Sequence, residues 1–285
     1  MKDSTIELLY RSTAQIGIAL SREQLGAFNL FGDLLVERNR HVNLTAIEGE
    51  DDIAIKHFWD SLSPAAFVPG LAAILAEADA TAAPAAALAP AAGVAPVVGA
   101  AAAPVAAAAP VAALAPAAAL APVAAVAATG RTTAAVPEKL LDVGAGAGFP
   151  GIPLKILFGE LLDVTLIDST LKKVNFMNEA IAALGLSGCK AVHARAEEIA
   201  RLDDWRGRFN IVTARALAAL PLLCKYCMPF LAPGGLLIAM KGRRAAAEEE
   251  LAQAKPLIGR LGGTLLNTVH FGDFHERTII VVKKA

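Results

Sequence analysis

The sequence has little of several features that would place a protein in a special class. It contains 3 cysteines in 285 residues, an odd number that argues against a fold built on disulfide bonds. Its formal net charge of -1 at pH 7 excludes a protein that coats nucleic acid through a global positive field, so any RNA contact must come from a local basic patch. The first residues, MKDSTIELLYRSTAQ, lack the apolar core of a secretory signal peptide. We therefore expect a cytoplasmic protein.

A second absence is charge in the middle of the chain, because no Asp, Glu, Lys or Arg lies between Ala80 and Gly130. This stretch exceeds the roughly 20 apolar residues of a membrane span. However, prolines interrupt it repeatedly, and each proline inside a helix costs about 3 kcal/mol. We expect an Ala- and Pro-rich low-complexity linker over residues 71–137, partly in the polyproline II conformation, and no membrane insertion. The prolines are Pro84, Pro90, Pro96, Pro104, Pro110, Pro116 and Pro122.

Residues 1–70 have helical periodicity and are expected to form an N-terminal helical cap. Ser21, followed three residues later by Gln24, has the pattern of a capping box at a helix N-terminus. The apolar face of the helix that follows is predicted to comprise Leu25, Phe28, Leu30, Phe31, Leu34 and Leu35.

Residues 138–285 alternate short apolar runs with longer amphipathic segments, which predicts an α/β domain with a parallel sheet. The predicted strands are LLDVG, VTLID, AVHA, FNIVTA and LLIAM. Two further apolar segments, GGTLLNTVHFG and ERTIIVVKK, are separated by a turn near Asp273 instead of a helix. The domain is therefore expected to end in an antiparallel strand pair.

The first predicted strand runs into a glycine-rich turn at residues 144–151. Glycine adopts positive φ values at little cost and lets the backbone approach a ligand closely. Gly144, Gly146 and Gly148 are therefore predicted to contact a nucleotide-like ligand.

The identity of that ligand is open from the loop alone, because Gly146 begins a match to GxGxxG, the dinucleotide pattern of NAD-dependent dehydrogenases. Asp142 at the strand end and the tight glycine spacing favour S-adenosylmethionine, which has no pyrophosphate to hold. Phe149 is then expected to shape the turn.

Two later positions also indicate adenosine. Asp168 ends the second predicted strand, where a carboxylate accepts the ribose hydroxyls of either cofactor class, although a helix N-cap is the alternative. Ala196 and Glu197 follow the third strand, at the place of an adenine-binding loop or, alternatively, of a solvated helix start.

The type of methyl transfer can be narrowed by elimination. The fourth strand ends in TARA, without the Asn/Asp-Pro-Pro-aromatic motif of exocyclic amine methylases. Carbon-5 pyrimidine methylases need a cysteine nucleophile near the cofactor, but the only strand-adjacent cysteine is Cys189. Cys224 and Cys227 lie within a predicted helix, where zinc or redox use is also disfavoured. A ring nitrogen such as guanine N7 presents a lone pair without a proton and needs positioning, not a general base. We therefore expect neither a catalytic base nor a metal.

The order of these motifs resembles a known family. NLTAI and HFWDSL precede the linker, and DVGAGAGFPGIPL, LIDSTLKK, RAEE, TARALA, MKG and HERTIIVVKK follow it. Apart from the linker, the chain resembles the bacterial 16S ribosomal RNA guanine-N7 methyltransferases, the glucose-inhibited division protein B family. The resemblance implies a Rossmann-like class I S-adenosylmethionine methyltransferase with an N-terminal helical cap. Its substrate would be the 530 loop of 16S rRNA, as free RNA, small subunit or assembly intermediate.

The resemblance also implies roles for individual residues. The cofactor site would include Gly144, Phe149, Asp168, Ala196, Glu197 and Arg215. Lys172 and the region from Asn43 to Asp60, with His57, would face the RNA. The chain departs from the family at Leu171-Lys172-Lys173, where Gly-Lys-Arg is usual, and in the linker itself.

Basic residues at predicted strand ends suggest how an almost neutral protein could hold RNA, because ligands bind at the carboxyl edge of a parallel sheet. This predicted basic rim comprises Lys172, Lys173, Arg215, Lys241, Arg243 and Arg244. For Arg215 a strand-end salt bridge is the alternative, and for His57 packing beneath the cap. A non-enzymatic RNA-binding or scaffold protein remains a further alternative. We expect a monomer.

Overall fold

The computed structural model describes residues 1–81, 136–271 and 276–285. Within these ranges the N-terminal helices and the α/β part form one compact unit. Most of the predicted linker and the turn at Asp273 lie outside the described residues. The helix α5 (Pro69–Thr81) crosses the predicted boundary at residue 70, so the beginning of the predicted linker is helical.

The cap consists of helices before the first strand. Ser21 accepts a hydrogen bond from the backbone N–H of Gln24, whose side chain returns one to the backbone N–H of Ser21, which confirms the capping box. Phe28 and Phe31 are buried as predicted, but Leu30 is 41% exposed, because it points away from the face that contacts the sheet domain. The helices are α1 (Asp3–Gln15), α2 (Arg22–Val42), α3 (Glu50–Asp52), a π-helix (Ile53–Trp59), α4 (Asp60–Phe67) and α5.

The α/β part is built on one seven-stranded sheet with the strand order β3-β2-β1-β4-β5-β7-β6. The first five strands in this order are parallel, and β7 is antiparallel to both of its neighbours, which confirms the predicted terminal strand pair. The strands are β1 (Glu138–Val143), β2 (Leu162–Asp168), β3 (Cys189–His193), β4 (Phe209–Arg215), β5 (Leu231–Lys241), β6 (Gly263–Phe271) and β7 (Arg277–Lys284).

Helices cover both faces of the sheet, so neighbouring residues of a strand enter different cores. Leu140 lies in the core that the sheet shares with α6, α7 and the cap. Leu141 lies in the opposite core, with α9 and α10. The helices are α6 (Gly151–Phe158), α7 (Leu171–Ala183), α8 (Ala196–Ile199), α9 (Leu220–Cys227) and α10 (Arg244–Arg260). Short 3-10 turns span Gly159–Leu161 and Met228–Phe230.

Among the residues that the structure describes, no helix is long and apolar enough to cross a membrane.

Candidate cofactor and RNA site

The glycine turn between β1 and α6 has the backbone conformation that its sequence predicts. Gly144, Gly146 and Gly148 have φ values of 71°, 63° and 97°, in the left-handed region that side chains disfavour. A Cβ atom on Gly148 would lie 2.4 Å from Cδ1 of Ile152, whereas one on Gly146 would meet no heavy atom within 4 Å. Gly146 therefore borders open space, whereas a side chain on Gly148 would have to displace the buried side chain of Ile152.

Asp168 closes this turn from the neighbouring strand. Its Oδ2 accepts a hydrogen bond of 3.0 Å from the N–H of Gly146, and its Oδ1 accepts one of 2.8 Å from the N–H of Thr170. The N-cap residue of α7 is Thr170, so Asp168 is not the N-cap of that helix. Asp168 is 7% exposed, and its carboxylate lies beside Gly146, which borders open space.

Asp142, at the end of β1, fixes the other side of the turn. Its Oδ2 accepts from the N–H of Gly151 at 2.9 Å, and its Oδ1 accepts from the hydroxyl of Thr213 on β4 at 3.0 Å. Complete burial raises the pKa of Asp142 from 3.8 to about 7, although both hydrogen bonds oppose the shift. Its role in the structure is to tie the turn to the sheet.

The cap supplies an aromatic contact to the same turn. The ring of His57 is stacked on that of Phe149, with centroids 4.3 Å apart. Nε2 of His57 lies 2.8 Å from Oγ1 of Thr45, and Nδ1 lies 3.0 Å from Nη2 of Arg215. Burial, Arg215 and Arg277 lower the pKa of His57 from 6.5 to about 3, so the ring is neutral at pH 7. These contacts support the packing alternative for His57.

Arg215, at the end of β4, is held by the cap. Nη1 donates to the carbonyl of Lys56 at 3.1 Å and to Oδ2 of Asp60 at 3.0 Å. Its Cζ lies 5.1 Å from the centroid of Phe149. The predicted alternative of a salt bridge is therefore present, and it places the guanidinium beside the cofactor turn.

Asp60 and Arg277 complete this cluster. The resemblance implied that Asp60 ends a region facing the RNA, but it is buried against two arginines, and Arg277 was not a predicted site residue. Oδ1 of Asp60 accepts from Nε of Arg277 at 3.0 Å, so one carboxylate that is 2% exposed serves two guanidinium groups. The sequence signal was the HxxD spacing of His57 and Asp60. Its meaning would have been clear only if Arg215 had been known to contact both side chains.

The π-helix explains how one short segment supplies three acceptors to Arg215. The N–H of Asp60 donates to the carbonyl of Ile55, five residues earlier, so the turn is wider than in an α-helix. Such π-helical turns are rare and are frequent at functional sites. Here the turn presents the carbonyl of Lys56 and the side chains of His57 and Asp60 to a single guanidinium.

The predicted basic rim is only partly free. Lys172 and Arg243 are exposed and Lys173 is half-buried. Lys241, 11% exposed, donates to the carbonyl of Ala218 and forms an ion pair of 2.7 Å with Glu250. Arg244 pairs with Glu248 on its own helix, and Asn43 is an exposed C-cap residue of α2 in the left-handed conformation.

The remaining candidates belong to α8, β3 and α9. Ala196 and Glu197 begin the single-turn helix α8, with Ala196 buried and Glu197 exposed. Burial raises the pKa of Cys189 to about 12 and that of Cys224 to about 11, so neither thiol supplies a thiolate near pH 7. In the described ranges no group of His, Cys, Asp and Glu side chains could hold a metal ion.

Comparison with known proteins identifies the family. The family model for rRNA small subunit methyltransferase G matches residues 124–279. The ribosomal RNA small subunit methyltransferase G of Leuconostoc citreum is 34% identical, over 98% of this chain and 91% of its own length. The ribosomal RNA small subunit methyltransferase G of an Exiguobacterium species is 35% identical, over 94% of this chain and 86% of its own length. A SAM-dependent methyltransferase structure from Aquifex aeolicus, 18% identical, superposes with a TM-score of 0.42 over 53% of this chain and 85% of its own. The sequence matches show that the chain belongs to the rRNA small subunit methyltransferase G family.

Proposed function

We propose that the protein transfers the methyl group of S-adenosylmethionine to N7 of a guanine in 16S rRNA, in the 530 loop by resemblance. The observation that carries this proposal is the turn at Gly146, closed by Asp168, in a chain of the rRNA small subunit methyltransferase G family.

The residues of the turn are suited to an adenosine cofactor. The side of Gly146 where a Cβ would stand is open. Each oxygen of Asp168 accepts one backbone N–H, and a carboxylate has about four acceptor positions, so capacity remains for the two ribose hydroxyls. We propose that the cofactor is held by Gly144, Gly146, Gly148, Phe149, Asp168, Ala196, Glu197 and Arg215. When bound, S-adenosylmethionine supplies an electrophilic methyl group on a positively charged sulfur.

The residues of the chain then act by orienting the guanine and the cofactor and by excluding water from the site. Guanine N7 carries a free lone pair, so no side chain has to remove a proton. Phe149 and His57 form a buried aromatic wall, and Arg215 is fixed beside it. Because His57 is neutral at pH 7, the stacked pair adds no positive charge to that of Arg215.

We propose that the RNA contacts Asn43 and three members of the rim, Lys172, Lys173 and Arg243. Lys241 and His57 are turned inward and would act through the loops that they hold.

The test is methylation of 16S rRNA and of 30S subunits purified from a strain without this modification, followed by mass mapping of the product. Methylation of one guanine at N7 is expected. A thermal-shift titration separates the alternatives, because adenosylhomocysteine should raise the melting temperature and NADH should not. Stabilisation by NADH alone would favour the dehydrogenase, and stabilisation by neither would favour the non-enzymatic scaffold.

A further inference from the structure

Arg277 has a guanidinium that is only partly used inside the protein. Its Nε donates to Asp60, and its side chain is 32% exposed. Within the described ranges its two terminal amino groups have no hydrogen-bond or ion-pair partner. The end of the fork, formed by Nη1 and Nη2, is therefore free to bind an oxyanion in a bidentate manner.

The charge around this fork is not balanced. Asp60 carries one negative charge, Arg215 and Arg277 carry two positive charges, and His57 is neutral. Asp142 also acts on Arg215, but burial raises the pKa of Asp142 to about 7, so at pH 7 it offsets only part of the second positive charge. The cluster therefore has a surplus positive charge at its partly exposed member, Arg277.

The position of Arg277 brings this surplus to the edge where the cofactor turn lies. Thr278, the next residue, pairs with Lys241 at the carboxyl end of β5. Asp60 bonds both Arg277 and Arg215, and Arg215 lies over Phe149 of the turn. An anion bound to Arg277 would thus lie at the carboxyl edge of the sheet, with the Asp60 carboxylate between Arg277 and Arg215.

We propose that Arg277 binds a phosphate group of the RNA backbone, with its guanidinium held in place by Asp60. This inference rests on the proposed function, because RNA is the polyanion that the proposed reaction brings to this edge. Binding of RNA backbones depends on such contacts, and each contact adds to the salt dependence of the affinity.

Arg277→Gln is the direct test, measured by filter binding of 16S rRNA and 30S subunits at several salt concentrations. The variant should fold, because it leaves Asp60 paired with Arg215. We expect the RNA affinity to fall on the order of tenfold and the magnitude of the log–log salt slope to fall by about 0.7–0.9. The dissociation constant of adenosylhomocysteine should stay within about twofold of the wild-type value. Arg260→Gln, which removes the same charge at the exposed far end of α10, should change neither quantity.

Three outcomes would overturn the proposal. The first is an unchanged salt slope and RNA affinity in Arg277→Gln while the wild-type protein binds and methylates RNA. The second is a parallel loss of adenosylhomocysteine affinity, which would assign Arg277 to the cofactor carboxylate. The third uses Arg277→Lys, which keeps the charge and loses the fork: its slope should remain that of the wild type, and a reduced slope would contradict a phosphate contact. Failure of the wild-type protein to bind or methylate RNA would instead overturn the proposed function.

Discussion

The imidazole of His57 lies flat against the phenyl ring of Phe149, with the two planes inclined by only 5°. His57 belongs to the cap and Phe149 to the glycine turn of the sheet domain. The cap is therefore part of the wall of the proposed cofactor site. Changes in the cap should consequently affect cofactor binding.

The neutral state of His57 predicts a specific pH dependence of stability. The folded protein binds the proton with a pKa of about 3 instead of 6.5. The unfolded chain thus takes up this proton first as the pH falls, so the contribution of His57 to the free energy of unfolding decreases from about pH 6.5 downward, by up to about 1.4 kcal/mol per pH unit. His57→Gln should lose this component. In denaturant titrations between pH 7 and 5, the free energies of unfolding of the wild type and of His57→Gln should converge. The control His41→Gln, at an exposed position, should keep the pH dependence of the wild type. Parallel curves for wild type and His57→Gln would contradict the assignment.

Gly146→Val should abolish binding of adenosylhomocysteine without unfolding the protein. The new side chain would enter the open space beside the turn, and the positive φ would add strain of about 1–2 kcal/mol. Gly185→Val is a matched control, because Gly185 has a φ of 61° and also meets nothing within 4 Å. Calorimetric titration should show lost affinity only in the first variant. Wild-type affinity there would disprove the glycine-turn assignment.

Asp168→Ala should weaken adenosylhomocysteine binding by about 1.5–3 kcal/mol, the scale of a charged hydrogen-bonding partner. The variant lacks the acceptor for the ribose hydroxyls, and the N–H of Gly146 also loses its acceptor. Asp163→Ala, on the same strand and half-buried, is the control. Reduced melting temperature with intact affinity would mean that Asp168 is purely structural.

Asp60→Asn should destabilise the fold by about 3–5 kcal/mol, because it leaves two partly buried guanidinium groups without a negative partner. Glu179→Gln removes the acidic partner of Arg38 in an exposed pair between the cap and α7, and should cost less than about 1 kcal/mol. Urea unfolding measures both. Equal effects would show that the buried cluster contributes no more than a surface pair.

Lys172→Ala should reduce the magnitude of the salt slope of RNA binding by about 0.7–0.9, without changing adenosylhomocysteine affinity. Lys172 is exposed at the start of α7, close to Asp168 in the chain. Lys255→Ala, exposed within α10, is the charge-matched control. If Lys172→Ala and Arg243→Ala both keep the wild-type slope, the RNA must lie elsewhere, for example along the cap near Arg38 and Arg40.

Local patterns were sufficient to predict the parts of the fold that depend on neighbouring residues. The capping box at Ser21, the strand that ends at Asp168 and the terminal strand pair follow from periodicity and from turn residues a few positions apart. The surroundings of Arg215 could not be predicted, because its partner Asp60 is distant in sequence and reaches it through a π-helix that no periodicity indicates. The same holds for Lys241, whose engagement by Glu250 depends on how α10 returns across the sheet.

The strand order also constrains how the chain can fold during synthesis. β7 lies between β5 and β6, although β6 precedes it in the chain, so β6 has no place in the sheet until β7 has left the ribosome. Arg277 arrives with that same strand and gives Asp60 its second guanidinium. A nascent chain that has emerged only as far as β6 therefore exposes the edge of β5 and holds an incomplete charge cluster beneath the cap. Completion of the sheet and completion of the cap contact are thus one late event in biosynthesis.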